Sequence, residues 1–173
     1  LAMILLGLKL GDKALAKTLA EAKDTPAPLR LSALLITGFT QDVAKKVWKS
    51  DKSDTFRIAL LSKFDETTLK EVALKKLDPE EDDDVIIAAL SHINDVEFMK
   101  QFATAELNKN GYSRTLPTAL EKVADDAWKV EQAKGLGNKP HPNSRKALYE
   151  NIKDQGFLKE KYAEAKDNEG IRR

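Results

Sequence analysis

Residues 57–73 read RIALLSKFDETTLKEVA, and this stretch carries the pattern that decides the fold. An Ala59-Leu60 pair stands near its start, an aspartate follows five residues after Leu60, and apolar residues follow nine and thirteen residues after it. Because positions four apart lie on one face of a helix, the last two residues mark a helical face. An aspartate just before such a helix caps its free backbone N–H groups. The stretch therefore predicts a helix, a short turn at Asp65 and a second helix.

The same pattern recurs along the whole chain, which indicates an internal repeat. The anchor leucines, separated by 28, 26, 30, 30 and 28 residues, are Leu6, Leu34, Leu60, Leu90, Leu120 and Leu148. The turn acids five or six residues later are Asp12, Asp65, Asp95, Asp125 and Asp154, with Gln41-Asp42 displaced in the second repeat. The residues nine after each anchor are Leu15, Val43, Leu69, Met99, Lys129 and Phe157. The chain therefore contains six helix-pair repeats.

Every repeat supplies two helices, and no segment shows the strict alternation of a strand. We predict first helices near 2–10, 28–37, 54–64, 83–92, 114–123 and 143–152. We predict second helices near 12–23, 40–49, 65–77, 95–108, 125–134 and 154–166. Pro117 falls inside a first helix, so we expect a kink or a late helix start there. The predicted fold class is all-α, with about twelve helices and all the anchor leucines buried.

These features resemble the HEAT-like α-solenoid repeats, especially the short bacterial form. The resemblance is carried by Arg30/Ala33-Leu34/Val43/Val47, Arg57/Ala59-Leu60/Asp65/Leu69 and Arg145/Ala147-Leu148/Asp154/Phe157. It implies a right-handed α-α superhelix of about six repeats, in which the second helices line a concave binding surface. The fourth repeat departs from the pattern, because Asp82-Asp83-Asp84 stands where an upstream arginine is expected.

The end of the chain repeats an earlier segment. Glu21-Ala22-Lys23-Asp24 with Leu29-Arg30 is nearly duplicated by Glu164-Ala165-Lys166-Asp167 with Ile171-Arg172. A seventh repeat therefore begins where the sequence stops. We expect residues 1–173 to be a single HEAT-like array and a fragment of a longer protein.

The composition is that of a globular chain and excludes several chemistries. Of 173 residues, 42% are hydrophobic and 33% charged, and the net charge is +1. So small a net charge provides no overall steering towards nucleic acid or a membrane. The absence of cysteine excludes disulfides, thiolate catalysis and thiolate metal sites. No stretch is long and apolar enough to span a bilayer, and we expect a cytoplasmic protein that does not bind membranes.

Catalytic and ligand motifs are weak throughout. His92 and His141 lack partners at metal-ligand spacing, and we expect a helix-end residue and a loop residue respectively. The acidic run 78–84 lacks the spacing of a calcium loop and favours the positive end of a helix instead. The segment 135–139 contains a GxG triplet but follows a helix, so it reads as a long loop between repeats. We predict no catalytic residue, no cofactor and no metal.

Two groups of side chains are candidates for binding a partner. Phe98 and Trp128 stand eight residues after their anchors on successive second helices, and large rings are favoured at interface centres. The alternative reading is that both rings pack between repeats.

The other group is Lys45, Trp48 and Lys49, which could contact a nucleic-acid backbone and stack on a base. An ordinary solvated helix face, or a surface for an acidic protein, would have the same composition.

The charge distribution favours the first of these groups. Residues 1–77 hold 14 basic and 9 acidic residues, so the first half is locally basic. The row eleven residues after the anchors is nonetheless mixed in sign: Lys17, Lys45, Glu71, Gln101, Glu131 and Lys159. The row therefore does not predict a continuous cationic stripe that would bind phosphates.

We expect a non-enzymatic scaffold that binds a protein or peptide on its second helices. The alternative is a nucleic-acid-binding solenoid, as in the HEAT-like alkylpurine DNA glycosylases, with Lys17 and Lys75 added to the basic group.

Overall fold

A computed structural model describes residues 7–22, 24–136 and 141–170, with side chains to residue 165. The chain divides into two compact units, Leu1–Ile93 and Asn94–Arg173, which are described separately. The described residues are helical and include no strand, which confirms the all-α prediction.

The first unit contains six helices with both ends described, and residues 7–9 are helical as well. These helices are α1 (Lys13–Glu21), α2 (Ala27–Gly38), α3 (Gln41–Ser50), α4 (Asp54–Leu61), α5 (Glu66–Ala73) and α6 (Asp83–His92). Helix α2 packs on α1 and α4, and α6 packs on α4 and α5. The first helices of the second, third and fourth repeats are thus neighbours in sequence order.

The second unit contains five helices within its described residues. They are α7 (Val96–Leu107), α8 (Leu116–Lys122), α9 (Asp126–Gly135), α10 (Pro142–Glu150) and α11 (Gln155–Gly170). Helix α8 packs on α7 and α10, and α9 packs on α10. Helix α8 begins at Leu116 with Pro117 in its first turn, so the expected late start is confirmed. A proline there removes no intrahelical hydrogen bond.

The turn acids cap the second helices as predicted. In each of five cases an aspartate oxygen accepts hydrogen bonds from backbone N–H groups in the first turn; the residues are Asp12, Asp65, Asp95, Asp125 and Asp154. In the second repeat Thr40 does this instead, accepting from Val43 N at 3.2 Å. The displaced Asp42 therefore lies in the first turn of α3 and is not its cap.

The anchor leucines within the described residues belong to the cores of the two units. Leu34 is 3% exposed, and the anchors with no exposed surface are Leu60, Leu90, Leu120 and Leu148. The burial predicted for these five residues is confirmed, and Leu6 lies outside the described residues. Repetition of an apolar pair at a fixed place in each helix pair thus locates the core.

Two local predictions differ from the structure. Helix α5 ends at Ala73 and not near residue 77, because Lys75 adopts a left-handed conformation with φ 55°. The N–H of Lys76 then bonds to Glu71 O at 2.8 Å and closes the helix. Glycine usually occupies such a position, so a lysine there gives no sequence signal. On α3 the fully buried residues are Ala44 and Trp48, one position beyond the predicted face of Val43 and Val47.

Candidate functional site

Trp48 is in the core of the first unit, which corrects its expected role as a stacking platform. The side chain has no exposed surface, and its Nε1 donates to Glu81 Oε2 at 2.9 Å. Its ring lies 5.3 Å from the ring of Phe64, and the Arg57 guanidinium stands 5.1 Å from its centroid. The α3 helix is rotated so that this ring faces inward, and no face of the indole is presented to a nucleic-acid base.

Lys45 and Lys49 each follow a buried residue of α3 and differ in their surroundings. Lys45 Nζ donates to Glu71 Oε2 on α5 at 2.6 Å. This hydrogen bond is the main cause of the raised pKa of Lys45, although desolvation opposes it. Lys49 is exposed. The basic group of the sequence is thus divided into one lysine neutralised by an acid, one exposed lysine and one buried ring.

Beneath α3 lies a network of buried charges around Arg57. Its Nη1 donates to Glu81 Oε1 at 2.7 Å, and its Nη2 donates to Asp78 Oδ2 at 2.9 Å. Its Nε donates to Asp51 O at 2.8 Å, and its Nη2 also reaches Trp48 O at 2.9 Å. The planar guanidinium therefore finds acceptors along its whole donor edge, which is the arrangement that arginine favours in buried sites.

Arg30 forms a smaller ion pair of the same kind one repeat earlier, in which its buried Nε has no hydrogen-bond partner among the described residues. It forms a buried ion pair with Asp51, and its guanidinium lies 4.1 Å from the centroid of the Phe56 ring. Burial raises the pKa of Asp51, but hydrogen bonds from Ser53 N and from Arg30 together lower it by more, so the net shift is downwards. The pKa of Asp78 is lowered to about 2, chiefly by a hydrogen bond from Lys52 and also by Arg57, against the opposing effect of burial.

Sequence reasoning noted Arg30 and Arg57 but missed the acids that pair with them. Arg30 and Asp51 are 21 residues apart, and so are Arg57 and Asp78. This equal spacing is the signal that could have identified the pairs. The acidic run also contains the cap of α6, since Asp82 Oδ1 accepts from Asp84 N at 2.8 Å. The structural reading of the run is therefore confirmed.

Phe98 and Trp128 occupy equivalent places in the second unit. Each is the third residue of its helix, and its N–H bonds to the capping aspartate, at 3.0 Å for Phe98 and 2.9 Å for Trp128. Both side chains are half-buried. The two helices are joined by Lys100, whose Nζ donates to Asp125 Oδ2 at 2.7 Å. The structure therefore places two partly exposed rings near the starts of adjacent second helices.

The outward row of the second helices is at the surface as expected. Its exposed members are Lys17, Gln101, Glu131 and Lys159, and its half-buried members are Lys45 and Glu71, which pair with each other. The charge along this row stays mixed. Lys75 is also exposed, and its Nζ donates to Glu81 O at 2.7 Å.

The histidines have local roles. His92 is the last residue of α6, as expected. His141 precedes α10, and its Nδ1 accepts a hydrogen bond from Asn143 N at 3.2 Å. Within the described ranges no group of three or more His, Asp or Glu side chains is arranged to hold a metal ion. The GxG loop is described only as far as residue 136, so most of it lies outside the described residues.

One inward position holds a lysine. Lys129 stands nine residues after its anchor, where the other repeats have an apolar side chain, and it is buried. Its Nζ donates to Asn151 O at 3.0 Å. A charged residue at a position that is apolar in the other repeats is the sequence feature that distinguishes Lys129.

Comparison with protein-family models, curated proteins and solved structures finds no match to this chain. In the part of the chain that is described, no helix combines the length and the apolarity needed to cross a membrane. What the chain does must therefore be inferred from its own surfaces.

Proposed function

We propose that this chain is a non-enzymatic, cytoplasmic scaffold built as a HEAT-like superhelix, which binds a protein or peptide on its second helices. The observation that carries the proposal is the pair of half-buried rings, Phe98 and Trp128, at equivalent positions on α7 and α9. Aromatic side chains that keep part of their surface exposed contribute strongly when a partner covers them.

The surroundings of the rings suit a peptide or protein partner. Lys100 of α7 and Asp125, the cap of α9, form an ion pair that joins the two helices carrying the rings, so charged groups and large apolar side chains occur on the same two helices. Interfaces commonly combine the two, with an apolar centre and a polar rim. Charge on the outward row is mixed in sign, which suits a partner with charges of both signs better than a continuous polyanion.

Site-specific crosslinking tests the proposal. A photoreactive amino acid is placed at position 98, at position 128 and, as a control, at position 112, where Tyr112 is exposed in the connection between α7 and α8 and not on a second helix. The proposal expects one and the same protein to be crosslinked from positions 98 and 128, before and after nuclease treatment, and not from position 112. Crosslinking that disappears with nuclease, or that is equal at all three positions, would contradict it.

Matched variants then separate binding from folding. Phe98→Ala combined with Trp128→Ala should weaken capture of the crosslinked partner, whereas Tyr112→Ala should leave it unchanged. Helical circular dichroism of each variant verifies that the chain is still folded. An undiminished interaction in the folded double variant would place the binding surface elsewhere.

A further inference from the structure

The connection between α7 and α8 contains the dipeptide Asn110-Gly111. Both residues are exposed, and a Cβ atom at Gly111 would meet no other atom within 4 Å. The backbone N–H of Gly111 and the side-chain amide of Asn110 have no hydrogen-bond partner among the described residues. Neither the amide group nor the backbone nitrogen that follows it is therefore held in place by a hydrogen bond.

Other asparagines of the chain are followed by a backbone N–H that is already bonded. After Asn108, Asn143 and Asn151, the next N–H donates to a carbonyl oxygen three residues before it. These bonds are Lys109 N to Glu106 O, Ser144 N to His141 O and Ile152 N to Tyr149 O, at 3.3, 2.9 and 3.2 Å. Asn110 differs from these three asparagines because the N–H after it is unbound.

An amide nitrogen that is free and exposed can attack the side chain of the asparagine before it. Glycine is the residue that permits this best, because it has no Cβ to obstruct the approach and its backbone turns freely. The open space around Gly111 leaves room for the ring that forms. We propose that Asn110 is a site of spontaneous deamidation, in which Gly111 N attacks the side-chain carbonyl carbon and aspartate and isoaspartate are the products.

The reaction consumes only water. The bond between Gly111 N and Asn110 Cγ forms, the bond between Cγ and Nδ2 breaks, and the N–H proton of Gly111 leaves with the Nδ2 group as ammonia. Water then opens the cyclic succinimide at either of its ring C–N bonds. Opening at Cγ gives aspartate, and opening at the backbone carbonyl carbon gives isoaspartate, in which the main chain runs through the side chain.

Both products change the segment that links α7 to α8. Each adds a negative charge shortly after Leu107, the last residue of α7, where the helix dipole disfavours an anion. Isoaspartate also lengthens the main chain ahead of Ser113, whose Oγ accepts a hydrogen bond from Leu116 N at 3.2 Å at the start of α8. The modification therefore alters the connection between these two helices.

Incubation of the intact chain in mildly alkaline buffer tests the proposal. Peptide mass spectrometry follows the loss of each asparagine amide with time, and chromatography separates the aspartate and isoaspartate peptides. Asn143 is the matched reference, because it is also exposed but the N–H after it is bonded in the first turn of α10. We expect Asn110 to react at least about tenfold faster than Asn143, since reaction at Asn143 requires local opening of the helix. A rate at Asn110 no higher than that at Asn143 would overturn the proposal.

The same incubation in urea separates the effect of the fold from that of the local sequence. Unfolding removes the hydrogen bond after Asn143, so its rate should rise, whereas the rate at Asn110 should change by less than about threefold because the fold already leaves it open. A large increase at Asn110 in urea would show that the folded chain protects it and would contradict the proposal.

A variant of the attacking residue tests the assigned nucleophile. Gly111→Ala should fold normally, because φ at Gly111 is not positive and the new methyl group meets open space. It should slow the loss of the Asn110 amide by about tenfold or more, since the side chain obstructs ring closure. Helical circular dichroism verifies the fold. Equal rates in the folded variant and the wild type would rule out Gly111 N as the nucleophile.

Discussion

Arg57 shows how single residues stabilise the first unit. Its guanidinium is buried together with Asp78 and Glu81, so taking three charges out of water must be offset by their mutual hydrogen bonds. Removal of one acid leaves the arginine incompletely compensated, which costs more than the loss of an exposed ion pair. The network is therefore the part of this unit most sensitive to a change of charge.

Asp78→Asn should destabilise the chain at neutral pH by about 2 to 3 kcal/mol. The lowered pKa shows that the fold favours the ionised carboxylate, and the variant leaves the buried Arg57 without that negative charge. Since the pKa is about 2 in the folded chain, below its ordinary value, this stabilisation is fully present above about pH 4 and is lost as the pH falls towards 2. Urea unfolding of the wild type and the variant at several pH values measures both effects.

The control for this experiment is Glu80→Gln, which changes an exposed acid of the same run. It should alter the free energy of unfolding by less than about 0.5 kcal/mol. The difference between Asp78→Asn and the wild type should shrink in acid, because both side chains are then uncharged. An unchanged difference at low pH would show that the hydrogen-bond geometry, and not the charge, stabilises this site.

At the scale of the helices, stability depends on how each one begins. Helix α5 has eight residues, which is too short to be stable alone, and its first turn is capped by Asp65. Asp65 Oδ1 accepts from Thr68 N at 2.7 Å, and hydrogen bonds with Thr68 lower the pKa of Asp65. A cap of this kind satisfies a backbone donor that the helix itself leaves unpaired.

Asp65→Ala should reduce the free energy of unfolding by about 1 kcal/mol, because alanine has no acceptor for that donor. Asp65→Ser should recover most of the loss, since serine caps nearly as well as aspartate. Denaturant melts of the three chains provide the comparison. Equal stability of the alanine and serine variants would mean that the side-chain bond does not stabilise α5.

Packing between helices depends on the anchor leucines. Leu90 on α6 has no exposed surface, so Leu90→Ala should cost about 2–5 kcal/mol from lost transfer free energy and the cavity that remains. Leu74→Ala, at a position 46% exposed, should cost less than about 1 kcal/mol and is the control. Denaturant melts measure both, and a loss below about 1 kcal/mol for Leu90→Ala would contradict its role in the core.

On the scale of the whole molecule, the charge distribution bears on nucleic-acid binding. The net charge is +1, and Lys45 is already paired with Glu71. Lys45 is therefore engaged by an acid of this chain, and the charge of the whole molecule gives little net attraction to a phosphate backbone. Burial of Trp48 also removes the one aromatic ring that the basic group of the sequence offered for stacking.

We expect no micromolar binding to a short labelled duplex or single strand at physiological salt in fluorescence anisotropy. Measurements between about 50 and 200 mM salt distinguish weak non-specific attraction from a specific site. The matched variant combines Lys45→Glu with Lys49→Glu. Micromolar, salt-sensitive binding that this variant loses would favour the nucleic-acid alternative and move the functional surface to α3.

The sequence by itself determined the helix pairs, their caps and the burial of the anchors. These features follow from local chemistry: a side-chain oxygen before a helix caps it wherever the helix lies, and apolar residues four apart share one face. Helix α6 accordingly has the predicted bounds, and the five anchors within the described residues are buried. A left-handed lysine at the end of α5 could not be foreseen, because no glycine marks that turn.

Only the tertiary structure determined which face of each helix is buried. A rotation of about 100° per residue separates Val47 from Trp48, and neighbouring helices determined that Ala44 and Trp48 face the core. The partners of Arg57 and of Lys129 also lie in segments that are distant in sequence. Local pattern determines where a helix forms, whereas long-range packing chooses among the faces that the pattern leaves nearly equal.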